Sequence, residues 1–430
     1  MIHFDDVLTT ARDVLAEDTD FHAIERVLVL RDLRGRIRLF LTPKPEAADA
    51  VRNACSRLNT QLADALGGFW GQMIEPDVPE SQVRALLDTV RAEALPLEPG
   101  QAFENWSIIE RHVSQSVWSK RDAAPPWPLL DETPAIVSFF SHKGGVGRTT
   151  ALCATAVNLA RVGKRVVVID LDLEAPGLGP LLPESPVELG VADYFLEYFA
   201  AAGDFHPRIE DFVAIQNETA LIGPGGEPIR CVPAGRVGPT YLEKLGRLDY
   251  ELITGTTSAD GGPVPTLFKQ LRAAYKPEYV LLDCRCGLHD LGGLAIQCLS
   301  HLNVVFGLDS QVSWDGLRLI VQRMRQSGSN ATCLLIHAME PPPGDIRRKA
   351  HDRFQSNAYS IFLEEFYVEP DYDTAPDIDD ADAPHSPFGI AYESALAGYQ
   401  TLSDVCEILT KSPYSDLTRR ISDIVGRPTS

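Results

Sequence analysis

The chain has 430 residues, 44% of them hydrophobic, enough for two to three domains with real cores. Its 39 Lys and Arg stand against 60 Asp and Glu, a net charge of −21. So acidic a chain repels phosphate backbones and anionic lipid, and the expectation is neither bulk nucleic-acid binding nor electrostatic membrane docking. The opening MIHFDDVLTT has no basic flank and no apolar core of a leader, and no stretch approaches the roughly 20 apolar residues of a membrane span. The cysteines are scattered, mostly inside apolar runs, which fits reduced thiols and a cytoplasmic address.

In chain order, residues 1–120 read as a small α+β accessory or partner-binding domain. FDDVLTTARDVLA has helical spacing, and IERVLVLRDLRGRIRLFLTP reads as two strands joined by a tight turn at Leu33, Arg34 and Gly35. Helical stretches follow over 46–66 and 81–93, and then over ENWSIIERHVSQSVW. The prolines of 121–134 mark a linker. From there to residue 430, apolar strands alternate with helices: AIVSFF, KRVVVIDLD, EYVLLDC, LNVVFGLD and ATCLLIHA. Continuous apolar runs spaced by helical segments indicate an α/β fold, a mostly parallel, doubly wound sheet covered on both faces. Between Glu364 and Asp382 an acidic stretch reads as a solvated loop.

The densest chemical signal is SHKGGVGRTT, residues 141–150, set between a strand and a helix. A phosphate loop needs glycines so that successive backbone N–H groups can turn inward, and a helix N-terminus behind them. Gly144, Gly145 and Gly147 supply the first, and a helix from Arg148 the second. Against the template G-x-x-x-x-G-K-[ST], His142 stands for the first glycine and Arg148 for the lysine, while Thr149 falls where a hydroxyl meets Mg2+.

The run Lys143-Gly144-Gly145-Val146-Gly147-Arg148-Thr149-Thr150 resembles the deviant Walker A motif of the MinD/ParA-like (SIMIBI-class) P-loop ATPases. The resemblance spans about residues 135–409. It implies ATP and Mg2+ as ligands and a homodimer with ATP at the interface, where Lys143 reaches the partner's phosphates. The loop from Gly144 to Thr150 would cradle the phosphates. In RVVVIDLDLEAPGLG, Asp172 would position the attacking water and Asp170 lie nearer the metal. In EYVLLDCRCGLHDLGG, Asp283 would be the Walker B carboxylate and the loop from Gly287 the second switch, with Arg285 near phosphate or the partner subunit. Cys284 and Cys286 lack a second ligand pair and read as small switch residues. LLIHA places His337 where family members often carry a base-contacting asparagine.

Arg148 is the main departure from the family pattern. Arginine pairs well with phosphate, but its planar fork is broader than lysine's point charge, so slow hydrolysis is expected. Three functions stay open: an ATP-hydrolysing dimerisation switch acting on a protein partner through residues 1–120, a non-hydrolysing nucleotide sensor, and an ATP-dependent small-molecule ligase. The resemblance to an arginine-loop subgroup implies bacterial signalling or defence systems. The C-terminal SDLTRRISDIVGRPTS puts Leu417, Ile421, Ile424 and Val425 on one face. That face is short and flanked by Asp416 and Asp423, so it is expected to dock on its own domain rather than on a membrane.

Overall fold

A computed structural model describes residues 2–74, 91–92, 94–97, 105–112, 114–119, 124–185, 188–201, 207–255, 262–328, 332–367 and 375–426. The helix expected over 81–93 lies almost wholly outside them, as does the middle of the acidic stretch. The chain divides into two compact units, Met1–Val113 and Ser114–Ser430.

The first unit is a five-stranded mixed sheet, β1 (Ile24–Arg31), β2 (Ile37–Pro43), β3 (Trp70–Ile74), β4 (Leu95–Pro96) and β5 (Trp106–Glu110), in the order β3-β2-β1-β5-β4. Strands β1 and β2 pair antiparallel across the expected turn. There Gly35 takes φ +79° and the Asp32 carboxylate accepts the Arg34 and Arg36 amides. Helices α1 (Val7–Ala16) and α2 (Ala48–Leu66) bury Leu15, Leu58 and Leu62 against Val27, Val29 and Leu39. The helix expected over 104–118 does not form. Trp106–Glu110 is a strand parallel to β1, and Ser116–Ser119 a single 3-10 turn. The WSII run is rich in aromatic and β-branched residues, which suit a pleated, half-buried surface better than a helix.

The second unit carries the mostly parallel, doubly wound sheet expected from the sequence. Its strands are β6 (Ala135–Ser141), β7 (Val166–Asp170), β8 (Ala214–Gln216), β9 (Ile229–Val232), β10 (Tyr279–Asp283), β11 (Leu302–Gly307), β12 (Thr332–Glu340) and β13 (Phe388–Ala391). Their order is β13-β12-β11-β6-β10-β7-β9-β8, parallel except for β8 on β9. The central strands β6, β7, β10 and β11 are buried along their whole length, which explains their unbroken apolar runs.

Helices cover both faces. On one lie α3 (Arg148–Arg161) and α8 (Tyr414–Ile424); on the other α4 (Val191–Ala200), α5 (Pro263–Tyr275), α6 (Gln311–Gln326) and α7 (Asp345–Glu365). Helix α3 is rich in small residues and buried nearly all round. The C-terminal α8 docks on that face through Leu417 and Ile421, as its apolar stripe suggests. Among the described residues no helix is long and apolar enough to cross a membrane.

The unit boundary falls at 113/114, not at 120, and the expected proline-rich linker over 121–134 is in part core. Trp127 is buried, donates its indole N–H to the Pro134 carbonyl at 2.8 Å and packs on Phe268. Ahead of it Val117 and Trp118 are buried too, and the Trp118 indole donates to the His289 carbonyl at 3.2 Å. The two tryptophans anchor on the second unit what the prolines made look like a free tether. In the acidic stretch, Glu364 and Glu365 pair with Arg318, and Asp382 with Arg420, so its described ends are pinned rather than merely solvated.

Candidate functional site

Ligands of open α/β sheets bind at the carboxyl ends of the strands, and the sequence-predicted residues converge there. Strand β6 runs into the glycine loop and the loop into α3, whose N-cap is Gly147. Gly145 and Gly147 take φ +73° and +85°, a region that side chains rarely adopt, and a Cβ on either would meet only open space. The loop is thus shaped by backbone and left bare above. The Ser141 hydroxyl fastens it from below by donating to the Lys143 carbonyl. Lys143 itself is exposed, and its ammonium has no carboxylate partner among the described residues.

Strand β10 lies between β6 and β7, and Asp283 pairs in register with Asp170. Thr149 donates its hydroxyl to Asp283 Oδ2 at 2.7 Å, while Oδ1 is buried with no partner. Burial pushes the Asp283 pKa up to about 6, against the lowering effects of the Thr149 hydrogen bond and the Arg148 charge. A buried carboxylate oxygen that nothing satisfies, beside a threonine hydroxyl and beneath a bare glycine loop, is a donor set suited to a hard divalent cation such as Mg2+.

Asp170 is fully buried beside Asp283. Oδ1 accepts the Asp172 amide and Oδ2 the Leu178 amide, both at 3.1 Å. Both oxygens are thereby occupied in shaping the turn after β7. Burial, and then the charge of Asp283, raise its pKa well above the usual carboxylate range.

Arg148 points under the loop rather than out of it. One terminal nitrogen donates to Ser141 Oγ at 2.9 Å, and the other lies 3.5 Å from Asp172 Oδ2. Both side chains of this ion pair are about nine-tenths buried. Burial raises the Asp172 pKa, and the Arg148 charge opposes that rise.

Four residues that the sequence did not connect form a lock between the segments that follow β7 and β10. Glu174, two residues past Asp172, pairs with Arg285 and receives the Tyr250 hydroxyl and His289 Nε2, each at 2.9 Å. Burial pushes the Glu174 pKa up, but the His289 and Tyr250 hydrogen bonds and the Arg285 charge outweigh it and bring it down to about 2. Arg285 therefore has a defined carboxylate partner within its own chain. Tyr250 stands far from any motif, and nothing in the sequence pairs it with Glu174.

The loop opens onto a cavity of about 410 Å3 lined on its far side by Phe306, Met339, Ile390, Tyr392, Leu396 and Tyr414. An apolar slot next to a phosphate cradle is the shape a nucleotide base and sugar require. His337 is not part of it. It is buried, stacks on Phe354 with ring centroids 4.1 Å apart, and faces Glu340. The slot is furnished instead by Met339 and by the stretch that begins in β13, a stretch without an expected role. All the cysteines with described surroundings are free thiols, Cys284 buried among them, and Cys286 sits against Gly144.

A family model described as anion-transporting ATPase (ArsA) matches residues 136–178, the strand, loop, helix and following strand of this site. Over 54 residues the chain is 50% identical to the chloroplastic septum site-determining protein minD homolog of Arabidopsis thaliana, covering 13% of this chain and 17% of that one. Over 44 residues it is 49% identical to the arsenical pump-driving ATPase of Escherichia coli, 10% of this chain and 7% of that one. The matched region thus spans under a fifth of either relative. Among solved structures, MinD complexed with Mg-ADP from Pyrococcus horikoshii OT3 aligns at 20% identity over 51% of this chain and 77% of that one, TM-score 0.37. The ParA of pNOB8, solved bound to nonspecific DNA, aligns at 13% identity over 68% and 99%, TM-score 0.42.

Proposed function

We propose, on the premise that this chain is a MinD/ParA-like P-loop protein of the deviant Walker A kind, that it is a MgATP-binding dimerisation switch. It hydrolyses slowly and controls a protein partner recognised by its N-terminal unit. The observation that carries this reading is the Thr149–Asp283 hydrogen bond, with its partnerless Oδ1 directly below a bare glycine loop.

In this reading the backbone N–H groups of Gly144–Thr150 and the N-terminus of α3 bind the triphosphate, and the apolar slot takes the base. Thr149 and Asp283 would hold Mg2+, which when bound neutralises charge on the phosphate oxygens. Lys143, exposed and with no carboxylate partner among the described residues, would meet phosphate on a second copy of the chain. Asp172 orients the attacking water. For that, the Arg148 guanidinium has to leave Asp172 and turn to phosphate oxygens, an exchange of one charge-assisted pair for another.

The test is the mass of the full chain in solution with and without MgATP, for wild type and Lys143→Ala. Dimerisation that needs ATP and is lost in the variant is the expected result; a monomer under every condition overturns the switch.

One observation favours a second reading, a nucleotide-binding module that does not hydrolyse. The buried Arg148–Asp172 pair engages the carboxylate that hydrolysis needs. Single-turnover hydrolysis at high protein concentration separates the two. Slow turnover abolished by Asp172→Ala supports the switch, and none at all supports the sensor.

A further inference from the structure

On the face of the sheet opposite α3, β12 ends in a bulge. His337 pairs with Gly389 and Ala338 with Ile390, but Glu340 pairs with Ala391, so Met339 is the extra residue and takes φ +56°. In a regular strand residues 337 and 340 point to opposite faces. The bulge turns both to the same one, where His351 of α7 joins them.

Glu340 is fully buried at the centre. Its Oε1 lies 3.0 Å from His337 Nδ1 and 2.8 Å from His351 Nδ1, and Arg347 Nε donates to Oε2 at 2.6 Å. The three candidate donor atoms lie within 4.8 Å of one another. A Cβ on Gly389 would stand 2.4 Å from both Glu340 oxygens, so the cradle depends on glycine there. His337 is 2% exposed, and its Nδ1 has no partner among the described residues other than the nearby Glu340 carboxylate.

We propose that His337, Glu340 and His351 form a binding site for a divalent transition metal of the zinc class, clamping β12 to α7. Two imidazole nitrogens and a carboxylate oxygen make a donor set that zinc accepts, with a fourth place left for water. Ligands about 2.1 Å from a common ion stand roughly 3.4 Å apart in a tetrahedron. The two nitrogen–oxygen separations are already a little shorter than that, so the histidines need only move slightly outward. Arg347 holds the second carboxylate oxygen and fixes which one faces the histidines, as outer partners of metal ligands do. Mg2+ prefers an all-oxygen shell, so this site and the one beneath the glycine loop differ in the ion they select. The clamp sits one residue from Met339, which lines the apolar slot.

The site is tested on the full chain, stripped with a chelator and titrated calorimetrically with Zn2+ and, separately, Mg2+, without nucleotide. The expected result is one tightly bound Zn2+ per chain, a thermal midpoint that rises with Zn2+, and no such response to Mg2+. His351 is partly exposed, so His351→Gln is expected to keep the fold, checked by circular dichroism, and to weaken Zn2+ binding at least about 100-fold, beyond what loss of an outer partner costs. His337→Gln serves as the second variant. If wild type takes up no Zn2+ at micromolar concentration, the trio is a hydrogen-bonded cluster and the proposal fails. It fails equally if wild type and His351→Gln bind Zn2+ alike, since thiols or surface histidines would then be the ligands. Neither outcome bears on ATP binding at the glycine loop.

Discussion

Arg148 faces two ways at once. Its cation is at the phosphate loop, yet it is spent on Ser141 and Asp172 beneath that loop. Lysine has one compact charge on a thinner stem and cannot hold both partners in the same fork. Arg148→Lys is therefore expected to free Asp172 and raise the single-turnover rate about tenfold, a barrier change near 1.4 kcal/mol, with nucleotide affinity little changed. A rate equal to or below wild type would show that the Arg148–Asp172 pair does not restrain hydrolysis. Glu174 supports a second prediction. Its folded pKa lies below the unfolded value, so the carboxylate contributes stability above the unfolded pKa and loses it as pH falls toward about 2. Glu174→Gln is expected to cost about 2 kcal/mol at neutral pH, since it leaves the charge of half-buried Arg285 uncompensated. Denaturant titrations should show the gap from wild type constant above about pH 5 and closing as pH falls below the ordinary glutamate pKa. A gap independent of pH would mean that the Glu174 charge is not what holds the switch segments.

At the scale of elements, the phosphate loop depends on a helix that the motif does not mention. Gly316 of α6 lies against His142, and a Cβ there would stand 2.2 Å from His142 Cγ and 2.6 Å from its Cβ. His142 occupies the first-glycine position of the usual template, so the chain accommodates the larger residue by taking a glycine from the facing helix. Gly316→Ala is expected to destabilise by about 1–3 kcal/mol through overpacking and, by pushing the start of the loop, to weaken nucleotide binding. His142→Ala in the same chain should restore both, and the coupling is read from a double-mutant cycle of melting and binding. The same contrast explains what was legible beforehand. The strands β6, β7, β10, β11 and β12 showed as unbroken apolar runs because they are buried on both faces, and Lys143–Thr150 and Asp283 stood out because each sits beside such a run. Asp170 was visible for the same reason, but only the structure shows its oxygens turned to backbone amides. The apolar slot was not legible. It is built by a bulge at Met339 and an irregular stretch after β13, neither of which has a periodic signature. His337 misled because regular alternation along β12 turns it toward Phe354 and away from the slot, and the strand at Trp106–Glu110 was hidden because a short apolar run carries no reliable period.

At the scale of the whole molecule, the question is where the second unit begins. By its prolines it would start at residue 135, and by its packing at 114. The difference is the burial of Val117, Trp118 and Trp127, with indole hydrogen bonds to the His289 and Pro134 carbonyls. Trp118 also fills the space above Gly293, where a Cβ would come within 2.7 Å of its ring. That places it on the short helix Asp290–Leu294, which directly follows the loop proposed as the second switch. Trp127 is held in turn by His301, which bonds the Trp127 carbonyl through Nε2 and receives the Ile136 amide at Nδ1, both at 2.9 Å. A fragment starting at 135 therefore uncovers Phe140 on β6 and Phe268 on α5 as well as losing the two indoles. Removing a buried tryptophan costs about 3 kcal/mol or more. The fragment 114–430 is thus expected to fold as the second unit does in the full chain, and 135–430 to melt on the order of 10 °C lower or fail to fold. Melting both fragments side by side decides it. Equal midpoints would return residues 114–134 to the role of a tether, whereas a large gap would make them a structural part of the second unit.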